Sequence, residues 1–365
     1  MPLPPFPVPV RALRAALGAR QRLMDLADLI LPAEGAMWDF AAGMQRTKLA
    51  GALVTTGLAD ALGEEARDPV EVARELGLDP SVTTRVIGAA AASRLLRLDR
   101  DGRARLSRIG RPLRRDNPYS IASWVAYQAA ATNARGYAEL DGLLRDGAEP
   151  SGHRRAFGDS IWEYFGEHPD EGARFGEAMR ELTAIDVAAL ARAYPWPRRG
   201  VICDVAGGIG TLLAAILDRR PRARGILIDA PDVLVEADGL LSSRGLSTRV
   251  ERQAGDLFGA LEARADCYIL KWILHDWSDD ACRGILSRLR ATMPSGAKVV
   301  TIDQHLERGR PNPITSMVDL HMLVECEGGR ERSPEEIHAL MHDAGLEPGR
   351  VRHAGLHMLV EGRAT

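Results

Sequence analysis

The pattern of apolar residues changes near residues 194–200, and this change constrains the fold more than any other feature of the sequence. Upstream, most segments place apolar residues at the i, i+3, i+4 spacing of amphipathic helices. Downstream, short β-branched runs alternate with such helices, which indicates a mostly parallel sheet flanked by helices. The runs that we predict to be strands are 201–204, 225–229, 265–270 and 298–303. We therefore predict two domains, a mainly helical one over residues 1–195 and an α/β one over residues 196–365.

Length, charge and cysteine content narrow the class of protein. A chain of 365 residues is long enough for two domains. The net charge of −3 argues against a preference for nucleic acid or an anionic membrane. No apolar run reaches the roughly 20 residues that span a bilayer, and the proline-rich start is unlike a signal peptide. The cysteines, at positions 203, 267, 282 and 326, lack metal-ligand spacing, so we expect a reduced, cytoplasmic protein that needs no metal.

Residues 68–106 of the helical half have the order of a winged helix. A short capped helix over 68–77 is followed by a turn, a second helix over 81–95 and a hairpin that turns at Asp101-Gly102. One interpretation is DNA binding, with the second helix in a major groove. The other is a packing module, which is favoured because the centre of that helix, 86–92, is apolar and offers few groups to bases.

A glycine-rich turn follows the first predicted strand of the α/β half. Asp204 is followed by Gly207, Gly208 and Gly210, and an apolar helix begins directly afterwards. Glycines allow the backbone angles of such a turn and let a ligand approach the main chain closely. A carboxylate aimed into the loop would repel the pyrophosphate of a dinucleotide but would suit a cation. S-adenosylmethionine carries an ammonium and a sulfonium, so the acid favours this cofactor over NAD.

Two further acids stand where the next strands should end. Asp229 is placed to accept hydrogen bonds from ribose hydroxyls, and Asp256 could accept one from an adenine amine. Each could instead be a simple turn or cap residue, as the following Pro231 and Asp232 suggest for Asp229. The order of the acids supports the ligand interpretation, since ligands of open α/β sheets bind outside the carboxyl ends of the strands.

A histidine segment follows the third of the listed strands. His275 stands near the end of that strand, and Ser278 is a good cap for the helix that comes next. A histidine at the carboxyl end of a parallel strand faces the ligand crevice and is a candidate general base. The alternative is a hydrogen-bonded structural histidine.

Five stretches of the sequence resemble the plant-type small-molecule O-methyltransferase family, which includes caffeate and acetylserotonin methyltransferases and many bacterial antibiotic-tailoring enzymes. Lys271-Trp-Ile-Leu-His-Asp-Trp-Ser278 is the most specific part. The stretches are 204–210, 229–231, 255–258, 270–278 and 328–333. The resemblance implies a Rossmann-like class I methyltransferase domain, an N-terminal helical winged-helix dimerisation domain, a homodimer, and S-adenosylmethionine as cofactor, released as S-adenosylhomocysteine.

The resemblance also implies roles for individual residues. His275 would be the general base, and Asp303 and Glu331 would orient its imidazole; the family often has Glu at the position of Asp303. The remaining cofactor positions lie beside the adenine or next to the cofactor and are Leu257, Phe258, Trp277 and Lys271. The positions expected at the acceptor are Trp162, Phe165, Met179, Asp276 and Met322.

The predicted reaction is methyl transfer to a phenolic hydroxyl of an aromatic polyketide or similar secondary metabolite. A phenol titrates near pH 10 and histidine near 6.5, so removal of the proton during transfer is general-base work. A relative with hydroxylase or decarboxylase chemistry is one alternative, but such an enzyme would not need His275 with two supporting acids. A winged-helix ligand-sensing regulator is the other alternative.

Overall fold

The computed structural model describes residues 10–259, 261–306, 309 and 312–365. Their contacts divide the chain into two compact units. One unit, called the helical unit here, contains residues 15–135 and 165–185; the other, the sheet unit, contains 10–14, 136–164 and 186–365. This division does not follow the single boundary predicted at 195/196. The reason is that the helical stretch 136–164 packs with elements of the sheet unit, residues 152–157 contacting the helix over 313–325.

Helices dominate the first half of the chain, as expected from its apolar spacing, and further helices alternate with strands in the second half. They are α1 (Val10–Asp28), α2 (Ala33–Ala41), α3 (Gly43–Thr55), α4 (Leu58–Leu62), α5 (Pro69–Glu75), α6 (Pro80–Ala92), α7 (Ala122–Gln128), α8 (Ala131–Tyr137), α9 (Leu140–Asp146), α10 (Gly152–Phe157), α11 (Ile161–Glu167), α12 (Pro169–Ala193), α13 (Thr211–Arg219), α14 (Pro231–Ser243), α15 (Asp279–Thr292), α16 (Pro313–Glu325) and α17 (Pro334–Asp343).

The strands form a small hairpin in the helical unit and a large sheet in the other. They are β1 (Leu96–Leu98), β2 (Ala104–Leu106), β3 (Arg199–Val205), β4 (Arg222–Asp229), β5 (Val250–Ala254), β6 (Cys267–Lys271), β7 (Lys298–Gln304), β8 (Leu346–Ala354) and β9 (His357–Ala364). Among the described residues the large sheet has the order β5-β4-β3-β6-β7-β9-β8.

Strands β3 to β7 are mutually parallel, and β9 runs antiparallel to both β7 and β8. The predicted mostly parallel sheet is therefore confirmed. The antiparallel pair at the C-terminal end was not predicted. The strand order reverses between β3 and β6, which opens a crevice at their carboxyl ends. Asp204 and Lys271 lie at this point.

Alternate residues of the central strands bury themselves on opposite faces of the sheet. Cys203 and Tyr268 pack into one apolar layer, while Ile202 and Ile269 pack into the other. This is the period-2 arrangement of a strand covered on both faces. Each fully buried side chain of this size contributes roughly 1.5–3 kcal/mol relative to its exposed state. The two layers hold the carboxyl ends of the strands in fixed positions.

The elements predicted over residues 68–106 are present in the helical unit. The Asp68 side chain accepts from the backbone N–H groups of Val70 and Glu71 and begins α5, and Asp79 caps α6 in the same way. Strands β1 and β2 then pair on either side of the Asp101-Gly102 turn. In the described part of the chain, no helix combines the length and apolar character needed to cross a membrane.

Candidate active site

The turn after β3 is built so that only glycine fits its tightest position. A Cβ atom on Gly207 would lie 2.6 Å from the Asp204 carboxyl carbon and 2.7 Å from a methyl carbon of Leu227. Gly208 and Gly210 adopt the left-handed conformation, with φ of 60° and 81°. The three predicted glycines thus form a cradle of bare backbone directly above the buried Asp204 carboxylate.

Asp229, at the end of β4, binds the backbone of the glycine turn. Its carboxylate accepts hydrogen bonds from the backbone N–H of Gly208, at 2.7 Å, and from that of Ala230, at 2.8 Å. Burial raises the pKa of Asp229, and these two bonds oppose the increase. The sequence placed Asp229 at a strand end, but nothing in it indicated that the acid also ties down the glycine loop.

Lys271 enters the same region from the end of β6. Burial lowers its pKa to about 7, and the carboxylates of Asp204, Asp186 and Asp303 act against this decrease. Burial also raises the pKa of Asp204 to about 7. The cluster includes one residue missed by the sequence analysis, Asp186 of α12, whose carboxylate lies 3.4 Å from the His357 ring. No motif marks Asp186, because it stands inside a long helical pattern.

The aromatic residues predicted for cofactor and acceptor come together around Trp277. The rings of Phe258 and Trp277 meet edge to face with centroids 4.7 Å apart. The ring of Trp162 stacks on Trp277 at 5.9 Å. Asp256 accepts a hydrogen bond from the Phe258 N–H at 3.0 Å, which forms the turn that presents Phe258, and Leu257 packs against the core beside it.

These features fit S-adenosylmethionine. The cradle would be filled by a Cβ at Gly207, so the backbone is open to close approach by a ligand at that point. Buried carboxylates at the ends of β3 and β4 suit a ligand with cationic groups and ribose hydroxyls. The aromatic rings of Phe258 and Trp277 suit a flat, partly apolar base.

His275 lies in a short 3₁₀ turn, Leu274–Asp276, between β6 and α15. Its Nδ1 atom is 2.8 Å from the Oε1 atom of Glu331, and its Nε2 atom is 3.4 Å from the Oδ1 atom of Asp276. The Glu331 carboxylate is buried and can only accept, so Nδ1 carries the proton and the Nε2 atom of the neutral ring is left basic. The predicted pairing of His275 with Glu331 is present.

The charges around His275 make it a stronger base than a free histidine. Burial by itself lowers its pKa, but the carboxylates of Asp276 and Glu331 outweigh that effect and bring the pKa to about 9. Asp276 is half-buried, and its desolvation raises its pKa to about 6. The thiol of Cys326 donates to the same Oδ1 atom of Asp276, at 3.8 Å.

Both acids were expected to orient the imidazole of His275, but Asp303 makes no hydrogen bond to the ring in the structure. It is buried at the end of β7, and within the described part of the chain neither of its oxygens has a hydrogen-bond partner. Burial raises its pKa to about 7, and the proximity of His275 acts in the opposite direction. The side chain, one carbon shorter than glutamate, influences the ring through its charge and not through a bond.

Two features missed by the sequence analysis fix the histidine segment. The buried Arg332 donates to the carbonyls of Leu274 and Trp277, at 2.5 and 2.7 Å, and so holds both ends of the segment. A Cβ atom on Gly329 would lie 2.9 Å from the His275 carbonyl oxygen, so glycine allows the two segments to touch. Arg332 belongs to the 328–333 stretch that resembles the family, but the sequence did not indicate that its side chain binds these carbonyls.

The predicted acceptor residues belong to both units. In the sheet unit Met322 is buried on α16. The Nδ1 atom of its neighbour His321 is 3.2 Å from the hydroxyl oxygen of Tyr137. Phe165 and Met179 belong to the helical unit, where the Phe165 ring stacks on Phe175 at 5.0 Å. Their place beside the acceptor stays a prediction.

Comparison with known proteins assigns the family. A model described as an O-methyltransferase domain matches residues 137–347. O-demethylpuromycin-O-methyltransferase of Streptomyces alboniger is 35% identical over 300 residues, which cover 81% of this chain and 79% of that protein. The solved structure of a mitomycin 7-O-methyltransferase is 31% identical, with a TM-score of 0.84, and the match covers 91% of this chain and 98% of that one.

A second structure shows a relative with ligands. It is an O-methyltransferase from neocarzinostatin biosynthesis in complex with S-adenosyl-L-homocysteine and 1,4-dihydroxy-2-naphthoic acid. It is 27% identical, with a TM-score of 0.75, and the match covers 89% of this chain and 96% of that one. Because the family model spans more than half of the chain and the similarity to a characterised relative extends over four fifths of it, this protein belongs to the O-methyltransferase family and is an S-adenosylmethionine-dependent enzyme.

Proposed function

We propose that the enzyme methylates a phenolic hydroxyl of an aromatic natural product, with His275 as the general base. The observation that carries the proposal is the 2.8 Å contact between His275 Nδ1 and the buried Glu331 carboxylate. This contact fixes the ring and its tautomer and stabilises the imidazolium that forms when Nε2 takes a proton.

The pKa of His275 suits this role. A value of about 9 lies close to that of a phenol, about 10, so transfer of the phenolic proton to Nε2 is nearly balanced. Asp276, beside Nε2, also favours the protonated ring. The base therefore collects the proton at the moment when the hydroxyl oxygen becomes nucleophilic.

When bound, S-adenosylmethionine supplies a methyl group that its sulfonium makes electrophilic. We assign its amino-acid part to the cradle of Gly207, Gly208 and Gly210 with Asp204 and Lys271. We assign its ribose to Asp229 and its adenine to the surroundings of Asp256. The side chains that would border the adenine are Leu257, Phe258 and Trp277. Most of the rate enhancement would come from holding the two reactants in line.

The acceptor class follows from the relatives and from the residues near His275. The relatives' names include O-demethylpuromycin, mitomycin and a dihydroxynaphthoic acid, all of them linked to antibiotic biosynthesis or aromatic rings. Stacked Trp162 and Trp277, together with the soft side chain of Met322, suit an aromatic ring. We propose that Phe165 and Met179 complete the acceptor site and that Asp276 contacts a polar group of the acceptor.

We also propose that the protein is a homodimer and works in the reduced cytoplasm, where its four buried free cysteines would remain thiols. The helical unit exposes large apolar side chains over α2 and its flanks, among them Ile30, Trp38 and Phe40, each at least 80% exposed. Such a patch marks an interaction surface. Light scattering should show a dimer that Trp38→Asp with Phe40→Asp makes monomeric, whereas Leu144→Asp, at an exposed leucine elsewhere, should leave it dimeric.

The decisive test of the reaction uses His275→Gln. The wild-type protein, incubated with labelled S-adenosylmethionine and a panel of phenolic and polyketide acceptors, should transfer label to oxygen. The variant should lose roughly 10²–10⁴-fold in turnover because it lacks the base. Calorimetry should show that its affinity for S-adenosylmethionine is close to that of the wild type.

Full activity of His275→Gln would remove the general-base assignment. A hydroxylated or decarboxylated product in place of a methylated one would refute methyl transfer to a phenol. Sequence-specific binding of DNA fragments would support the regulator alternative instead.

A further inference from the structure

An arginine-rich cleft lies at the opposite edge of the sheet from the candidate active site. It is formed where β3 and β4 begin and α13 ends, all within the sheet unit. Its volume is about 400 Å³, which is in the range of small-molecule sites. The residues that line it are Arg198, Arg199, Arg219, Arg220, Pro221 and Arg222. Five of the six residues that line this cleft are thus arginines, in a protein whose net charge is −3.

Four of these arginines lie at the surface without a counterion among the described residues. Arg198, Arg199, Arg219 and Arg222 are exposed, and no carboxylate pairs with any of them in the part of the chain that the structure describes. Two acids that lie beside these segments, one next to Arg219 in the sequence and one at the start of β3, are engaged elsewhere. Asp218 pairs with Arg244 at 2.6 Å, and Asp266 accepts from the Val201 N–H at 2.7 Å.

Capping of α13 explains only part of this positive charge. Cations are favourable at the carbonyl end of a helix. Arg249 already serves that end, because its Nη2 atom donates to the carbonyls of Leu217 and Arg220 at 3.2 and 2.7 Å. Arg220 is held as well, donating through Nε to the Trp196 carbonyl at 3.0 Å. The other four arginines therefore add positive charge that no carboxylate of the described residues offsets.

We propose that this cleft binds a small anion of the pyrophosphate class, with two or more linked phosphoryl groups. Guanidinium groups present planar, paired N–H donors that match phosphate oxygens. Several of them around one cleft favour a ligand with several negative charges over one with a single charge. The cleft is too small for an extended macromolecular surface, so the ligand is a free anion.

This site is separate from the methyl-transfer site. The arginines stand at the amino ends of strands whose carboxyl ends carry Asp204 and Asp229. Strand β3 has seven residues, so the two edges are roughly 20 Å apart. The proposal does not depend on the identity of the acceptor, and the bound anion would not compete with the cofactor.

The test is calorimetric titration of the whole protein with inorganic pyrophosphate, compared with inorganic phosphate. Wild type should bind pyrophosphate in the sub-millimolar range, and phosphate should bind at least about tenfold more weakly. Arg199→Ala with Arg222→Ala should weaken pyrophosphate binding by at least about tenfold. The matched control is Arg97→Ala with Arg105→Ala, an exposed cross-strand pair of the β1–β2 hairpin, which should bind pyrophosphate like the wild type.

Each variant is checked for an intact fold by thermal unfolding and by its affinity for S-adenosylmethionine. If the first pair does not fold, Arg198→Ala with Arg219→Ala takes its place. Arg199→Lys with Arg222→Lys should retain part of the affinity that the alanine pair loses, since lysine keeps the charge without the paired donors. No detectable pyrophosphate binding by the wild type would overturn the proposal. Equal affinity of the cleft variant and the hairpin control would overturn it too.

Discussion

The segment 328–333 and the end of strand β7 each bring a buried carboxylate towards His275, but they hold it in different ways. Glu331 reaches the Nδ1 atom at 2.8 Å, and its own backbone N–H donates to Asp319 at 2.8 Å. Asp303 is equally buried, yet its oxygens have no hydrogen-bond partner among the described residues. One carboxylate is fixed in direction, whereas the other acts only through its charge.

The difference teaches that burial near a histidine does not by itself make an acid part of a catalytic pair. A bond with defined geometry sets the tautomer and orientation of the ring. A buried carboxylate without a bond carries a desolvation cost, and its pKa rises in response. The following predictions test whether Glu331 and Asp303 are as different in solution as they are in the structure.

The largest expected effect is on turnover after Glu331→Gln. The amide keeps the size of the side chain but removes the charge that stabilises the imidazolium and can present the wrong group to Nδ1. We expect kcat to fall by roughly 10²-fold, measured with saturating acceptor and cofactor.

Glu325→Gln is the matched control for this variant. Glu325 is another buried glutamate, 3.2 Å from a buried histidine, His153, in the same unit. In the part of the chain that the structure describes, Glu325 makes no hydrogen bond or ion pair with His275. If Glu325→Gln lowered kcat as much as Glu331→Gln, the loss would reflect disturbed packing and the comparison would fail.

The next effect is a shift of the pH profile. The active form has neutral His275, so the rate should rise with pH up to the histidine pKa of about 9. Glu331 raises that pKa, so its replacement by glutamine lowers it. The rising limb of kcat/KM should therefore move to lower pH in Glu331→Gln, while Glu325→Gln should keep the wild-type limb. An unshifted limb in Glu331→Gln would show that another group controls the profile.

A smaller effect on turnover is expected from Asp303→Asn. Because Asp303 makes no bond to the ring, kcat should change by no more than about threefold at pH 9. The rising limb should move down slightly, since one negative charge near His275 is lost. A loss as large as that of Glu331→Gln would mean that Asp303 bonds to His275 during the reaction, and the two carboxylates would then be equivalent.

The same variant has a consequence for stability. The pKa of Asp303 is raised to about 7, so the folded protein keeps a proton that the unfolded chain releases near pH 4. The free energy of unfolding contributed by this group is therefore highest at low pH and decreases as the pH rises from about 4 to 7. Asparagine cannot ionise, so the melting temperature of Asp303→Asn should exceed that of wild type by roughly 3 °C or more at pH 8 and by less at pH 5. A constant difference across this range would contradict the raised pKa.

Much of the site could be predicted because many of its functional residues directly follow predicted strands in the sequence. The glycine turn, Asp229 and His275 each stand directly at the end of a predicted strand, and parallel strands gather their carboxyl ends at one edge. By contrast, Asp186 lies in a long helix without any distinguishing pattern, and Arg332 lies in the 328–333 stretch, which did not indicate its contacts. Their roles depend on which distant segments the fold brings near them.

The sequence alone determined the α/β order of the second half, the glycine cradle, the acids at the strand ends and the histidine with its candidate partners. The first three follow from backbone angles and residue period, which act over a few neighbours, whereas the partners of the histidine came from the family resemblance. The tertiary structure decided that Glu331 bonds to His275 and Asp303 does not. It also placed Trp162 against Trp277 and tied Asp229 to the glycine loop. Such outcomes depend on differences of about an ångström between side chains far apart in the chain, which only the packed sheet and its covering helices fix.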